Sequence, residues 1–207
     1  MTRDTAALRP ALTRTPRRSG GPRRSDTAHA AILDAAEALL TTGGPSAVTF
    51  EAVARAAGAG KPTLYRWWPD RIDLLLEVYD RQTGATLPEV DTGSFEEDLI
   101  VSISGLWRFW RESVAGRAFA AVVAEAQFDE TARSTLVERL RDPAFPLRPV
   151  IARAVTRGEI TPSEGEGLRE FVVALNWLRL LTDRLDETEV PALVAALLAG
   201  RGRRRPA

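Results

Sequence analysis

Residues 50–68 read FEAVARAAGAGKPTLYRWW, and the rest of the chain is best understood outward from them. Thr49, just before the stretch, is a good N-cap because its hydroxyl accepts from an early helical N–H. The helix it opens turns Phe50, Val53, Ala54 and Ala57 to one side and stops at Gly58. A second helix begins near Gly60 or Lys61, with Pro62 tolerated in the first turn, and Pro69 closes it. Two helices joined so tightly need a small residue at their crossing, and Ala54 supplies it. They need a residue at ease with positive φ in the turn, and Gly58 supplies that. Val53, Ala57 and Leu64 lie at the offsets that pin the pair together. The stretch is predicted to be a helix-turn-helix. Its second helix offers Lys61, Thr63, Tyr65, Arg66 and Trp67 on the outer side, residue types that reach phosphates and base edges. The N-terminus of that helix offers backbone N–H groups suited to a phosphate oxygen.

Helices flank the unit on both sides. One is predicted from Ser25 or Asp26 to about Thr42, where Gly43-Gly44-Pro45 stops it, with Ile32, Ala36, Leu39 and Leu40 on one face. Another is capped by Asp70 and carries the stripe Ile72, Leu75, Leu76 and Tyr79. Residues 84–93 (GATLPEVDTG) break the pattern. Beyond them, Ser94 to Glu97 and Thr161 to Glu164 both fit capping boxes. Further helices are expected over about 95–114, 116–127, 129–141, 147–157, 162–185 and 188–199. The 95–114 helix is apolar around more than half its circumference, which implies burial on several sides. No strand is predicted, so the fold is all-α: an N-terminal three-helix module with a helix-turn-helix, then a larger C-terminal helical domain. The expected division is a disordered basic arm at 1–25, a DNA-binding domain at 26–84, an effector-binding and dimerisation domain at 85–200, and a basic tail at 201–207.

Composition narrows the chemistry. The 207 residues contain no cysteine, which removes thiolate metal sites, cysteine nucleophiles and disulfides. The single histidine, His29, has no patterned acid or nucleophile beside it and reads as a surface residue. No metal, cofactor or catalytic residue is expected, and neither a secretory leader nor a membrane span is evident. A cytoplasmic protein is the expectation. The 28 basic and 28 acidic side chains balance, but unevenly along the chain. Residues 1–25 hold seven arginines against one aspartate, whereas residues 26–83 hold five basic against eight acidic side chains. A nucleic-acid-binding module with that balance must gather its positive charge on one face and borrow from the arm. Arg23 and Arg24, next to the first helix, are therefore added to the candidate DNA contacts.

On these residues the chain resembles the tetracycline-repressor (TetR) family of bacterial transcription regulators. The resemblance rests on Ile32-Leu-Asp-Ala-Ala36, Val48-Thr49-Phe50, Val53-Ala54 with Ala57-Gly58, Thr63-Leu-Tyr-Arg66, Trp68-Pro69 and Asp73-Leu-Leu75. Glu125-Ala-Gln127, Arg153-Ala-Val155 and Arg157-Gly-Glu-Ile160 look like one group of the family's C-terminal domains. The chain departs from the family pattern at Gly60, Pro62 and Trp67, which bears on the operator sequence. By position, the resemblance implies that Thr49 and Arg71 bond phosphates, that Tyr65 and Trp67 lie against the groove backbone, and that Lys61 and Thr63 approach the bases. Trp68 is implied to plug the core. Tyr65 and Trp67 have a plainer alternative, packing against the fourth helix.

Specificity needs two reading heads on half-sites about one helical turn apart, or a multiple of it. The expected partners are thus double-stranded DNA carrying a palindromic operator, a second copy of the chain and a small effector. Candidate dimer residues are Val150, Ile151, Ala154 and Val155 with Leu168, Phe171, Val172, Leu175, Leu178 and Leu185, the alternative being that they fill the core of one chain. Candidate effector residues are Trp107, Trp110, Phe128 and Trp177, again with ordinary core as the alternative. An apolar or aromatic effector is favoured because few ionisable residues interrupt 95–124. The expected function is a ligand-released homodimeric repressor. A constitutive architectural DNA-binding protein, or a helical enzyme or carrier with only helix-turn-helix-like packing, are the alternatives.

Overall fold

The computed structural model describes residues 22–141 and 147–199, with side chains in the first helix from Asp26 onward. Among the described residues there is no strand. The α-helices are α1 (Pro22–Gly43), α2 (Phe50–Ala57), α3 (Lys61–Trp67), α4 (Arg71–Thr86), α5 (Phe95–Glu112), α6 (Val114–Glu125), α7 (Glu130–Arg141), α8 (Leu147–Thr156), α9 (Pro162–Leu181) and α10 (Val190–Ala199). Short 3-10 turns occupy Pro45–Ala47 and Glu187–Glu189. The fold is all-α, with an N-terminal helix-turn-helix unit and a larger C-terminal helical domain.

The cap residues set the helix starts. Thr49 Oγ1 accepts from Ala52 N–H, Asp70 from Ile72 and Asp73, and Ser94 from Glu97. Thr161 and Glu164 form the reciprocal capping box. Several boundaries differ from the sequence expectation, and three have a physical lesson. The first helix starts at Pro22, so residues 22–25 belong to it and not to the arm; residues 1–21 and 200–207 lie outside the described residues. The helix predicted over 95–114 ends at Glu112, because Ser113 turns extended there and caps α6. The helix predicted to reach 185 stops at Leu181, where Asp183 takes φ 54 and Arg184 N–H returns to the Arg179 carbonyl. Aspartate tolerates that left-handed geometry better than most side chains.

One continuous core serves the molecule. Ile32, Leu40, Val48, Val53, Leu64, Trp68 and Leu75 are buried at the N-terminal end. Leu99, Ile103, Trp107, Phe119, Val123, Val172 and Val194 are buried at the other. Helix α5 has α6, α8, α9 and α10 against it, which accounts for its broad apolar surface. Helix α6 is the bridge: it packs on α4 and α1 as well as on α5. The bend into it is tight, since a Cβ on Gly116 would lie 2.2 Å from the Trp110 carbonyl oxygen.

Candidate nucleic-acid interface and the cavity behind it

The turn between α2 and α3 is closed by Gly58, at φ 61 and ψ 28, while Ala59 N–H reaches back to the Ala54 carbonyl. That left-handed residue lets α3 leave α2 at once. Leu64 is fully buried beneath α3, and Trp68 beyond its end is 2% exposed. Opposite that anchor, Lys61, Tyr65 and Arg66 are exposed, and Thr63 and Trp67 are half-buried. Tyr65 is 57% exposed and rests edge-on against Phe50 at 4.8 Å between ring centroids.

Several of these groups are already engaged within the protein. The Lys61 ammonium pairs with Glu51, and that hydrogen bond holds the Glu51 carboxyl below its ordinary range. The N-terminus of α3 is less open to an anion than the sequence implied: Pro62 has no N–H, and Thr63 N–H is given to the Gly60 carbonyl 2.8 Å away. Trp67 rests against His29 at 4.4 Å, and its indole N–H is covered by protein without an acceptor among the described residues. His29 in turn stacks on Trp68 and meets Glu77 at 2.9 Å. The Trp68 N–H donates to the other Glu77 oxygen. His29 is therefore a clasp between α1 and the α3–α4 junction, not the bland surface residue expected. Arg71 does not stand free for a phosphate: its guanidinium donates to the Pro45 carbonyl at 3.0 Å and pairs with Glu125 on α6. Arg23 and Arg24 lie in α1 by backbone, but their side chains fall outside the described residues.

Behind this surface lies a cavity of about 1300 Å³ bounded by α4, α5 and α8 and by the segment linking α4 to α5. Tyr79, Ile103, Phe109, Phe119, Leu147, Val150 and Asn176 line it, and Gly84, Ala85 and Glu89 stand at its exposed edge. The four aromatics expected to line a cavity are placed otherwise. Trp107 is fully buried away from it, giving its N–H to Asn176 Oδ1 at 2.8 Å. Trp110 and Trp177 border only a void of about 20 Å³ beside it, and Trp110 N–H donates to the Tyr79 hydroxyl at 3.0 Å. Phe128 is 93% exposed, because the turn after α6 carries it outward. Helical stripes disclose which face is apolar but not where two neighbours fail to meet, so Phe109, Phe119 and Asn176 were not among the residues chosen.

The candidate dimer residues divide in two. Val150, Ala154, Leu168 and Val172 are buried within the one chain, because α8 and α9 pack on each other and on α5, and Leu185 is buried beyond the end of α9. Ile151, Val155 and Leu175 are half-buried, while Phe171 and Leu178 are 67% and 59% exposed. Leu181, which the sequence reading passed over, joins them at 53%. Positions 171, 178 and 181 fall on one side of α9 at helical spacing.

A helix-turn-helix with a polar, aromatic outer helix, joined to a helical domain that contains a cavity, defines the class of DNA-binding transcriptional regulators. Comparison with known proteins narrows the class. Residues 32–78 match the family described as "Bacterial regulatory proteins, tetR family", and residues 89–197 match "Tetracyclin repressor-like, C-terminal domain". The chain is 30% identical over 138 residues to the DNA-binding transcriptional repressor TetR of Mycobacteroides abscessus, covering 66% of this chain and 72% of that one. It is 30% identical over 188 residues to the transcriptional repressor KstR of Rhodococcus jostii, covering 84% of each. The crystal structure of the TetR family transcription regulator SCO0332 superposes with a TM-score of 0.70 at 29% identity, covering 86% of this chain and 99% of that one. This chain belongs to the TetR family of transcriptional regulators. Among the described residues no helix is long and apolar enough to cross a membrane.

Proposed function

We propose that the protein is a homodimeric, sequence-specific repressor that leaves a palindromic operator when a small, mostly apolar effector enters the cavity. The observation that carries the reading is the two-sidedness of α3: Leu64 is sealed beneath it while Lys61, Tyr65 and Arg66 face solvent. A seven-residue helix anchored on one side and polar on the other fits a major groove. Thr49 supports it from the start of α2, since the hydroxyl that accepts from Ala52 still has a proton to donate to a phosphate. The apolar strip of Phe171, Leu178 and Leu181 is the proposed core of the dimer contact, with Ile151, Val155 and Leu175 at its flank. The division into a DNA-binding part up to residue 84 and an effector-binding and dimerisation part beyond it is part of the same proposal.

Coupling between the two parts would run through α4. Its first residue is tied to α6 by the Arg71–Glu125 pair, and its later turns, with Tyr79, form the cavity wall. An effector that binds better when α4 is displaced would change the separation of the two α3 helices and so favour release. A coupling of about 1–3 kcal/mol would release the operator about 5–150-fold. Footprinting on DNA from around the protein's own gene tests the reading. A dimer by sedimentation should protect one discrete site with two-fold symmetry. Uniform protection at all sequences, or protection by a monomer, would contradict it.

A further inference from the structure

We infer that the inner end of the cavity is built to receive a neutral hydrogen-bond acceptor, a carbonyl oxygen carried on an apolar body, through Tyr79 and Asn176. The inference rests on the effector-cavity reading above and deepens it. Both side chains line the cavity and the small void that adjoins it, so they stand together where the two meet. Both are more than nine-tenths buried, Asn176 at 3% exposure and Tyr79 at 8%. Each is oriented by a tryptophan one turn apart on α5. Trp107 N–H occupies Asn176 Oδ1 and thereby turns the Nδ2 amino group the other way. Trp110 N–H occupies a lone pair of the Tyr79 hydroxyl, leaving the phenolic proton to be given elsewhere. Among the described residues neither the Tyr79 proton nor Asn176 Nδ2 has a protein acceptor. Burial raises the Tyr79 phenol well above its ordinary range, so it stays neutral and keeps its proton to donate.

The charges around the cavity argue for a neutral ligand. Its arginines are each matched with a carboxylate: Arg81 with Asp34 and Glu37, Arg108 with Glu187, Arg139 with Asp80, and Arg153 with Glu89. An anion would have to break one of these pairs, whereas a carbonyl needs only the two donors already turned inward. The remaining wall, with Ile103, Phe109, Phe119 and Leu147, takes hydrocarbon or an aromatic ring.

Three probes of one shape test this on the full-length protein by equilibrium dialysis: 2-acetylnaphthalene, 2-ethylnaphthalene and 2-naphthoate. Wild type should bind the ketone about tenfold more tightly than the ethyl compound, because the latter leaves both donors unpaired. Tyr79→Phe should remove most of that preference while leaving affinity for 2-ethylnaphthalene within a few-fold. Asn176→Leu should act in the same direction. If loss of the Trp107 partner unfolds that variant, Tyr79→Phe decides the matter. Equal binding of ketone and hydrocarbon, a preference that survives Tyr79→Phe, or tightest binding of the naphthoate would overturn the carbonyl assignment while leaving the effector cavity in place. Failure of all three to bind wild type would overturn both.

Discussion

At the scale of single residues, the weight falls on Tyr65. It is the large aromatic of α3 that the protein leaves in solvent, with its ring edge-on to Phe50. Tyr65→Ala should weaken operator binding about tenfold or more, with dimer mass unchanged by sedimentation. Unaltered binding would show that α3 is turned away from the duplex. Trp67 is expected to contribute less, because its N–H is covered by protein and its ring leans on His29. The identity of these residues was legible in the sequence, since helical spacing puts Lys61, Tyr65 and Arg66 away from Leu64. Their prior commitments were not. That Lys61 is held by Glu51, and Arg71 by Glu125 across 54 positions, depends on how separate helices meet. No local pattern encodes such long-range pairs.

At the scale of helices, caps and turns were readable and close approaches were not. Thr49, Asp70 and Thr161 each do what their chemistry foretells, whereas Ser94 caps α5 without the expected return bond to Glu97, its own N–H going to the Thr92 hydroxyl instead. Ser113 was missed as a cap because Val114 continues the apolar pattern and hides the bend. The bend depends on Gly116, which faces the Trp110 backbone. Gly116→Ala forces a methyl into backbone that cannot yield, and should cost about 1–3 kcal/mol in a chemical-denaturation measurement. A cost near zero would mean that the α5–α6 corner is looser than described. The start of α5 offers a pH test. Asp98 is fully buried, which alone would raise its carboxyl; hydrogen bonds from Thr92 and Arg157 outweigh that and hold it below the ordinary 3.8. A depressed folded-state value adds stability above about pH 4, and that stability is lost as pH falls through the lower folded value. Asp98→Asn should therefore melt lower than wild type at pH 7, with the gap closing toward pH 3 and below. A gap independent of pH would remove the ionised carboxylate from the account.

At the scale of the whole molecule, one chain leaves an apolar face uncovered and a cavity open. The sequence nominated α8 and α9 for the dimer, and part of each remains outside the chain's own core. Val150, Ala154 and Val172 are spent on the chain's own core, whereas Phe171, Leu178 and Leu181 are not. Apolar patterning alone does not separate the two uses, because a residue on either flank of the stripe looks the same. Leu178→Glu, a change on the exposed face of α9, should convert the dimer to a folded monomer at micromolar concentration and abolish operator binding. Sedimentation with circular dichroism checks it. A dimer that tolerates the charge would place the contact elsewhere.

The central claim is that the outer side of α3 enters the duplex while α9 meets a second copy, and photo-crosslinking reads both directly. A benzophenone side chain is placed at position 65 or at position 171 of otherwise wild-type protein, bound to its footprinted DNA and irradiated. The prediction is covalent protein–DNA adducts from position 65 and protein–protein dimers, without DNA, from position 171. DNA adducts from 171 with none from 65 would contradict the orientation of the whole molecule on its operator.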